Sequence, residues 1–301
     1  MSTTTVLQLI QQATGEMGLS VPTTAVGNTN QDVVQLLALI NGVGYEVQRK
    51  HDWQALNKVN LFQTNYLTTT GTVTDGLATV TAIPTTAALT TSYQAVGVGI
   101  NTNVFISSVD SLTQVTLTQL SNASATAETI TFSQTKYAMP SDYDRQIDST
   151  HWDKTQHWAM LGPETAQQWE WLTSGYISTG PRVRYRIFGD TFQIWPPQGT
   201  QHYLGFEYVS KAWAATTLGV AKNSFTIDTD ICIFPDRLMV LGLKHKYYQA
   251  KGLGDIYQSD YFAELSLAMS NDAGSPTLSM APNISQVLIG VANIPDSGYG
   301  T

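Results

Sequence analysis

An α+β architecture is predicted for this chain by three features of its sequence. Residues 182–188 and 191–195 alternate in polarity on either side of Gly189 and Asp190, and 203–209 alternates again. Period two is the signature of strands, and Gly-Asp is a good two-residue hairpin turn. Apolar residues recur at helical spacing near both ends, over 5–18 and 30–47 and again over 235–250 and 255–269. Between them, residues 68–133 hold short β-branched runs inside a stretch with no Lys or Arg from Lys58 to Lys136. The expected arrangement is a helical bundle of the N- and C-terminal helix pairs beside a small antiparallel sheet, with an inserted all-β module and an extended C-terminal tail.

The first helix places Val6, Leu7, Ile10, Ala13 and Met17 at roughly helical spacing and ends at Gly18. After a loop, Thr29 or Asn30 caps a second helix with Asp32 in its first turn, the favourable end for a carboxylate. Its buried stripe is Val33, Leu36, Leu37, Ile40, Val43 and Val47. Gly42 and Gly44 on that helix each cost about 1 kcal/mol relative to alanine, which predicts the close approach of another backbone. Residues 53–66 read as extended. The runs at 78–82, 104–109, 115–120 and 129–132 give a module of five or six strands. Because the chain resumes beyond it with a different composition, 68–133 reads as an insertion between 1–67 and 134–271.

Further on, Gly162, Pro163, Glu164 and Thr165 open a short helix through Gln168, Trp169 and Leu172. Pro235 suits the first turn of the next helix, where its missing N–H goes unused. Asp255 is the expected N-cap of the last helix, which sets Tyr257, Tyr261, Leu265, Ala268 and Met269 on one face. Residues 272–301 are rich in Ser, Pro, Asn and Gly around one apolar patch, Val287, Leu288 and Ile289. They read as a tail that orders against a partner.

Charged residues make up 13% of the chain, about half the usual share, so wide areas of surface are neutral and polar. The net charge of −8 argues against gripping nucleic acid by counterion release. Cys232, the single cysteine, sits in an apolar run and excludes an internal disulfide and a cysteine-based zinc site. No stretch approaches the roughly 18 consecutive apolar residues of a membrane span. The first residues lack the basic-then-apolar pattern of a signal peptide, so assembly in a cytosol is expected.

Several groups invite a chemical reading. Asp142, Asp144 and Asp148, with Glu164 and the tryptophans 152, 158, 169 and 171, offer the carboxylates and platform of a carbohydrate site; turn-forming roles are the simpler reading. His51, His151, His157, His202 and His245 show no metal spacing, and His151 and His157 are expected to be structural, on one strand face. Asp228 and Asp230 lack the rest of a calcium loop and suit a turn. No phosphate loop or serine elbow is present, and no catalytic residue, metal or cofactor is assigned. Arg182, Arg184 and Arg186 share one strand face, either ion-paired and solvated or a docking edge for an acidic neighbour or a DNA phosphate track.

The order of parts resembles the head-to-tail adaptor proteins of tailed bacteriophages, the head-completion or tail tubular A-like group. The resemblance rests on Met139-Pro140, Asp142 to Arg145, Arg186-Ile187, Gly189-Asp190, Ile194, Pro196-Pro197, Phe206, Tyr208 to Ser210, and the run from Asp228 and Asp230 through Phe234-Pro235 to Gly252. It covers roughly residues 1–67 and 134–271; compact adaptors lack the 68–133 module, for which an outward-facing contact is expected. The resemblance implies a virion protein of the neck that forms a dodecameric ring, with the portal protein and a tail or nozzle protein as partners. DNA would pass through without specific binding, and no membrane is involved. Interface candidates are Val287, Leu288, Ile289, Tyr257, Tyr261, Arg182, Arg184 and Arg186. The other classes kept open are a carbohydrate-binding or carbohydrate-active virion protein and a tail-tube or capsid decoration protein.

Overall fold

The computed structural model describes residues 4–174, 180–253 and 256–273 of the chain. Its fold is α+β, with five helices and several antiparallel sheets. Helix α1 is Val6–Met17 and α2 is Gln31–Lys50. A single 3-10 turn, Gln54–Leu56, leads into β1, Asn57–Gln63. Then come β2 (Tyr66–Val73), β3 (Thr79–Thr81), β4 (Tyr93–Gly97), β5 (Val104–Ser111), β6 (Gln114–Leu117) and β7 (Ala125–Gln134). Short strands follow as β8 (Lys136–Ala138), β9 (Tyr143–Gln146), β10 (Trp152–Asp153) and β11 (Trp158–Ala159), then α3 (Ala166–Thr173). The chain continues with β12 (Arg184–Phe188), β13 (Thr191–Trp195), β14 (Tyr203–Ser210), β15 (Ala214–Ala215), β16 (Ala221–Lys222) and β17 (Ile231–Cys232). The last helices are α4, Asp236–Ala250, and α5, Gln258–Ala273.

Local chemistry explains the helix ends. Thr5 and Gln8 form a capping box at α1, Thr165 and Gln168 repeat it at α3, and the Asn30 side chain caps α2. Pro235 stands one position earlier than expected, as the N-cap of α4 rather than inside its first turn. Asp255 lies outside the described residues, and α5 begins at Gln258. The last helix runs through Ala273, past the expected start of a tail at 272, because Asp272 is anchored: its carboxylate accepts from the Gln54 N–H at 2.8 Å and lies 3.4 Å from His51 Nε2.

Helix α4 contacts α1, α2 and α5. Nine of its residues are buried, including Leu238, Met239 and Leu243 but also Lys244 and His245, so it is enclosed on nearly every side. The core these helices share is not made by helices alone: Trp53, Leu56, Val209, Trp213, Phe225, Cys232 and Phe234 belong to it. That changes the meaning of the α2 glycines. What presses on Gly44 is a side chain, since a Cβ there would collide with the Trp213 ring, and Gly42 faces open space. The tight helix-to-helix approach is on α4 instead, where a Cβ at Gly242 would meet Val43 Cγ1 at 2.5 Å.

The β12–β13 hairpin forms as its alternation predicts, with Phe188 opposite Thr191 across the Gly189-Asp190 turn. Strand β14 does not join it. The hairpin pairs with β8, whereas β14 lies antiparallel to β1 from Asn57↔Val209 to Gln63↔Tyr203, with β10 and β9 as further partners. Most of β14 is buried and needs partners on both edges, and β1 matches its length from about 140 residues away. The two sheets enclose a second core of Tyr137, Tyr185, Phe192, Ile194, Leu204, Phe206 and Tyr208. Strands β2 to β7 close into a six-stranded antiparallel barrel in the order β2-β3-β6-β5-β4-β7, around Val80, Ile83, Val104, Ile106, Val115, Ile130 and Phe132.

His151 and His157 do not share a strand. His157 sits with φ 57° in the turn between β10 and β11, while His151 is buried in an aromatic stack. Its ring lies 4.1 Å from Tyr185 and 5.1 Å from Phe206, nearly parallel to both. Burial lowers its pKa from 6.5 to about 4. The unfolded chain therefore binds a proton at His151 before the folded chain does. Its contribution to stability is complete above pH 6.5 and is lost as the pH falls from there toward 4, amounting to roughly 3 kcal/mol. Urea melts across this window should lose stability on acidification, and His151→Phe should flatten that part of the profile.

Candidate functional site

The structure distributes the arginine stripe among internal partners. Arg184 Nη1 donates to Glu164 Oε1 at 2.6 Å, and Glu164 is nearly buried. Arg186 donates to Gln193 Oε1 and lies over the rings of Trp169 and Phe188, at 4.6 and 5.0 Å. Only Arg182 is fully exposed. Thus the ion-paired reading describes Arg184, and Arg186 is an aromatic-flanked cation. On α5, Tyr261 is 3% exposed and stacks on His245, while Tyr257, just before that helix, packs on Tyr248 beneath Lys244 Nζ. Both tyrosines face the helical core of their own chain. Val287, Leu288 and Ile289 lie outside the described residues.

The candidate carbohydrate carboxylates are committed as well. Both oxygens of Asp142 are occupied, Oδ2 by Lys58 Nζ at 2.6 Å and Ser210 at 2.7 Å, and Oδ1 by the Tyr208 hydroxyl at 2.9 Å. Burial raises its pKa, but these hydrogen bonds more than offset that and hold it below the usual carboxylate range. Asp144 pairs with Arg145, which also reaches Asp52. Trp169 is buried with Leu172 and Trp195, whereas Trp171 on the same helix is exposed. Asp230 serves its own turn as expected, accepting from Lys222, Thr226 and Ile227, whereas the Asp228 side chain reaches across the fold, its Oδ1 accepting from the N–H groups of Ala25 and Val26. Burial pushes the Cys232 thiol up to about 12, which suits an inert core residue.

Two arrangements have no counterpart in the sequence reading. The first is a hydrogen-bonded chain in which Thr200 Oγ1 lies 3.0 Å from His202 Nε2 and His202 Nδ1 lies 2.6 Å from Asp153 Oδ2. Asp153 Oδ1 also accepts from the N–H groups of Thr155 and Gln156, so the chain ties the start of β14 to the β10–β11 turn. The second is a largely apolar face on the outer side of the β1–β14–β10 sheet, interrupted by exposed Glu207 opposite Val59. Leu61, Gly205 and Trp152 are in register, flanked by Val59 and Tyr203. All four side chains are exposed, Val59 by 57% and Leu61 by 53%. The signal was present as Val59 and Leu61 two residues apart in an extended segment, but only the β14 pairing turns them into a surface.

Among the described residues, no group of three His, Cys, Asp or Glu side chains is placed to hold a metal ion, and no helix is long and apolar enough to cross a membrane. A family model described as SU10 adaptor protein matches residues 109–283, more than half of the chain. The chain belongs to the SU10 adaptor protein family. This is a phage adaptor-type family, so the adaptor is a structural protein of the virion. The match begins inside β5 and takes in β6 to β17 and the last three helices; α1, α2 and β1 to β4 precede it. No curated protein matches the adaptor.

Proposed function

We propose that the adaptor forms a dodecameric ring between the portal and the tail, of the head-completion type, continuing the DNA channel by contacts rather than by catalysis. The observation that carries this reading is the exposed apolar face of Val59, Leu61, Trp152 and Tyr203 on a family member whose work is joining other proteins. Exposed apolar groups aligned on one sheet are expected at a protein interface. The apolar side chains Leu77, Leu112 and Leu120 extend the supply of contact surface onto the barrel, and Phe262 and Leu267 extend it onto α5. A net charge of −8 favours a channel along which DNA slides. Neighbouring subunits would meet through the terminal helices, packed as a bundle, with residues 274–301 reaching toward the portal.

Mass photometry of the full-length adaptor with its portal tests this. The expected result is a portal-bound ring, lost in Leu61→Glu, while the melting temperature stays near that of the parent because surface changes typically cost within about 0.5 kcal/mol. Removal of residues 274–301 should weaken portal binding. A chain that stays monomeric beside the portal at every ratio, or a Leu61→Glu variant that assembles normally, would overturn the reading.

A further inference from the structure

A cleft of about 190 Å³ lies where the barrel meets the β12–β13 hairpin and α3. Its walls include Phe105 from β5, Trp169 from α3, and Phe188 and Trp195 from the hairpin. Two cations line it, Lys136 and Arg186, neither in an ion pair among the described residues. Lys136 Nζ lies 4.0 Å over the Phe105 ring, and Arg186 is held between Trp169 and Phe188. Burial and the charge of Arg186 lower the Lys136 pKa, and Glu170, which also lines the cleft, offsets part of the Arg186 charge, so two cations stand against one carboxylate. Three lining residues each carry a buried polar atom with no hydrogen-bond partner among the described residues: Gln94 Oε1, Thr135 Oγ1 and Trp195 Nε1. These residues are only 1%, 3% and 7% exposed. Buried polar atoms left without a partner cost about 1–3 kcal/mol each, so three of them on residues that line one cavity mark a place for a polar guest.

We propose that this cleft binds a phosphate-class oxyanion. Lys136, Arg186, the Trp195 indole N–H and the Thr135 hydroxyl are donors, which select an acceptor-rich anion. Gln94 Oε1 is an acceptor and selects an anion that still carries a proton. Hydrogen phosphate satisfies both demands at neutral pH; sulfate supplies no donor. The oxyanion offsets the excess positive charge and bridges the barrel, through Gln94, to the hairpin sheet, through Lys136, Arg186 and Trp195. It thereby stiffens the junction between them.

Calorimetric titration of the full-length protein with inorganic phosphate, at constant ionic strength and with sulfate as the second arm, tests the assignment. Phosphate should bind saturably, sulfate at least about tenfold more weakly, and Lys136→Met should weaken phosphate at least about tenfold. Arg186→Gln provides an independent variant should Lys136→Met fail to fold. Phenyl phosphate should bind more tightly than phosphate, because the aromatic walls accept its ring. Absence of saturable phosphate binding, equal binding of sulfate, or variants that fold and bind like the parent would each overturn the proposal.

Discussion

Replacing Trp213 with alanine should destabilise the protein by about 3–5 kcal/mol, a large part of the roughly 5–15 kcal/mol that holds a domain folded. Trp213 is fully buried at the point where the strand layer meets the helices. Its ring meets Phe225 edge-on at 4.9 Å, Tyr45 at 5.9 Å and Phe234 in a parallel stack at 6.5 Å. It also occupies the space above Gly44 that any Cβ would claim. Truncation therefore opens a cavity among groups fixed by other contacts. Gly44→Ala alone should be destabilising by about 1–3 kcal/mol, since the ring has to move. In the Trp213→Ala background the added methyl enters the vacated space, and its cost should fall or reverse. A thermal and urea double-mutant cycle measures this; additive effects would show that ring and glycine are not in the contact described.

The second large effect is expected at Asp230. Its side chain is almost completely buried and accepts from Lys222 Nζ at 2.8 and 2.9 Å and from the N–H groups of Thr226 and Ile227. Its backbone carbonyl accepts from the Val6 N–H at the start of α1, so the same loop that Asp230 shapes seats the first helix. Asp230→Ala leaves two amides without partners and a half-buried lysine with only the Thr226 hydroxyl, and should cost about 3–5 kcal/mol. Burial raises the Asp230 pKa, but Lys222 and the two amides more than offset it and leave it lowered. A carboxylate depressed in the folded state contributes stability that is present above its unfolded pKa, near 3.9, and is lost as the pH falls through the folded value. Acid melts should accordingly show a loss below about pH 4 in the parent that is absent in Asp230→Asn, which starts from a lower plateau. An unchanged acid limb in that variant would assign the acid sensitivity to other groups.

The regular elements were legible because local rules specify them. Thr5 with Gln8, Asn30 before Asp32, and Gly189-Asp190 between two alternating runs each act within a few residues, and the structure has α1, α2 and the β12–β13 hairpin there. Of the candidate interaction residues, the stripe of Arg182, Arg184 and Arg186 was readable as a stripe, and Glu164, which claims Arg184, was read among the carboxylates without that pairing. Val59 and Leu61 went unread as a surface for the same reason: their in-register partners come from β14, near residue 205.

By itself, the amino-acid sequence determined where helices and strands form, the neutral polar surface and the inert setting of Cys232. Tertiary structure alone decided that β14 pairs with β1, that six strands close into a barrel, that Gly44 makes room for a ring, and that Lys136 and Arg186 line the same cleft. The division has a physical cause. Helix caps, turns and periodicity arise from interactions between residues a few positions apart, whereas strand partners and clefts depend on loop closures spanning up to about 150 residues, whose outcome is set by which surfaces can be buried together.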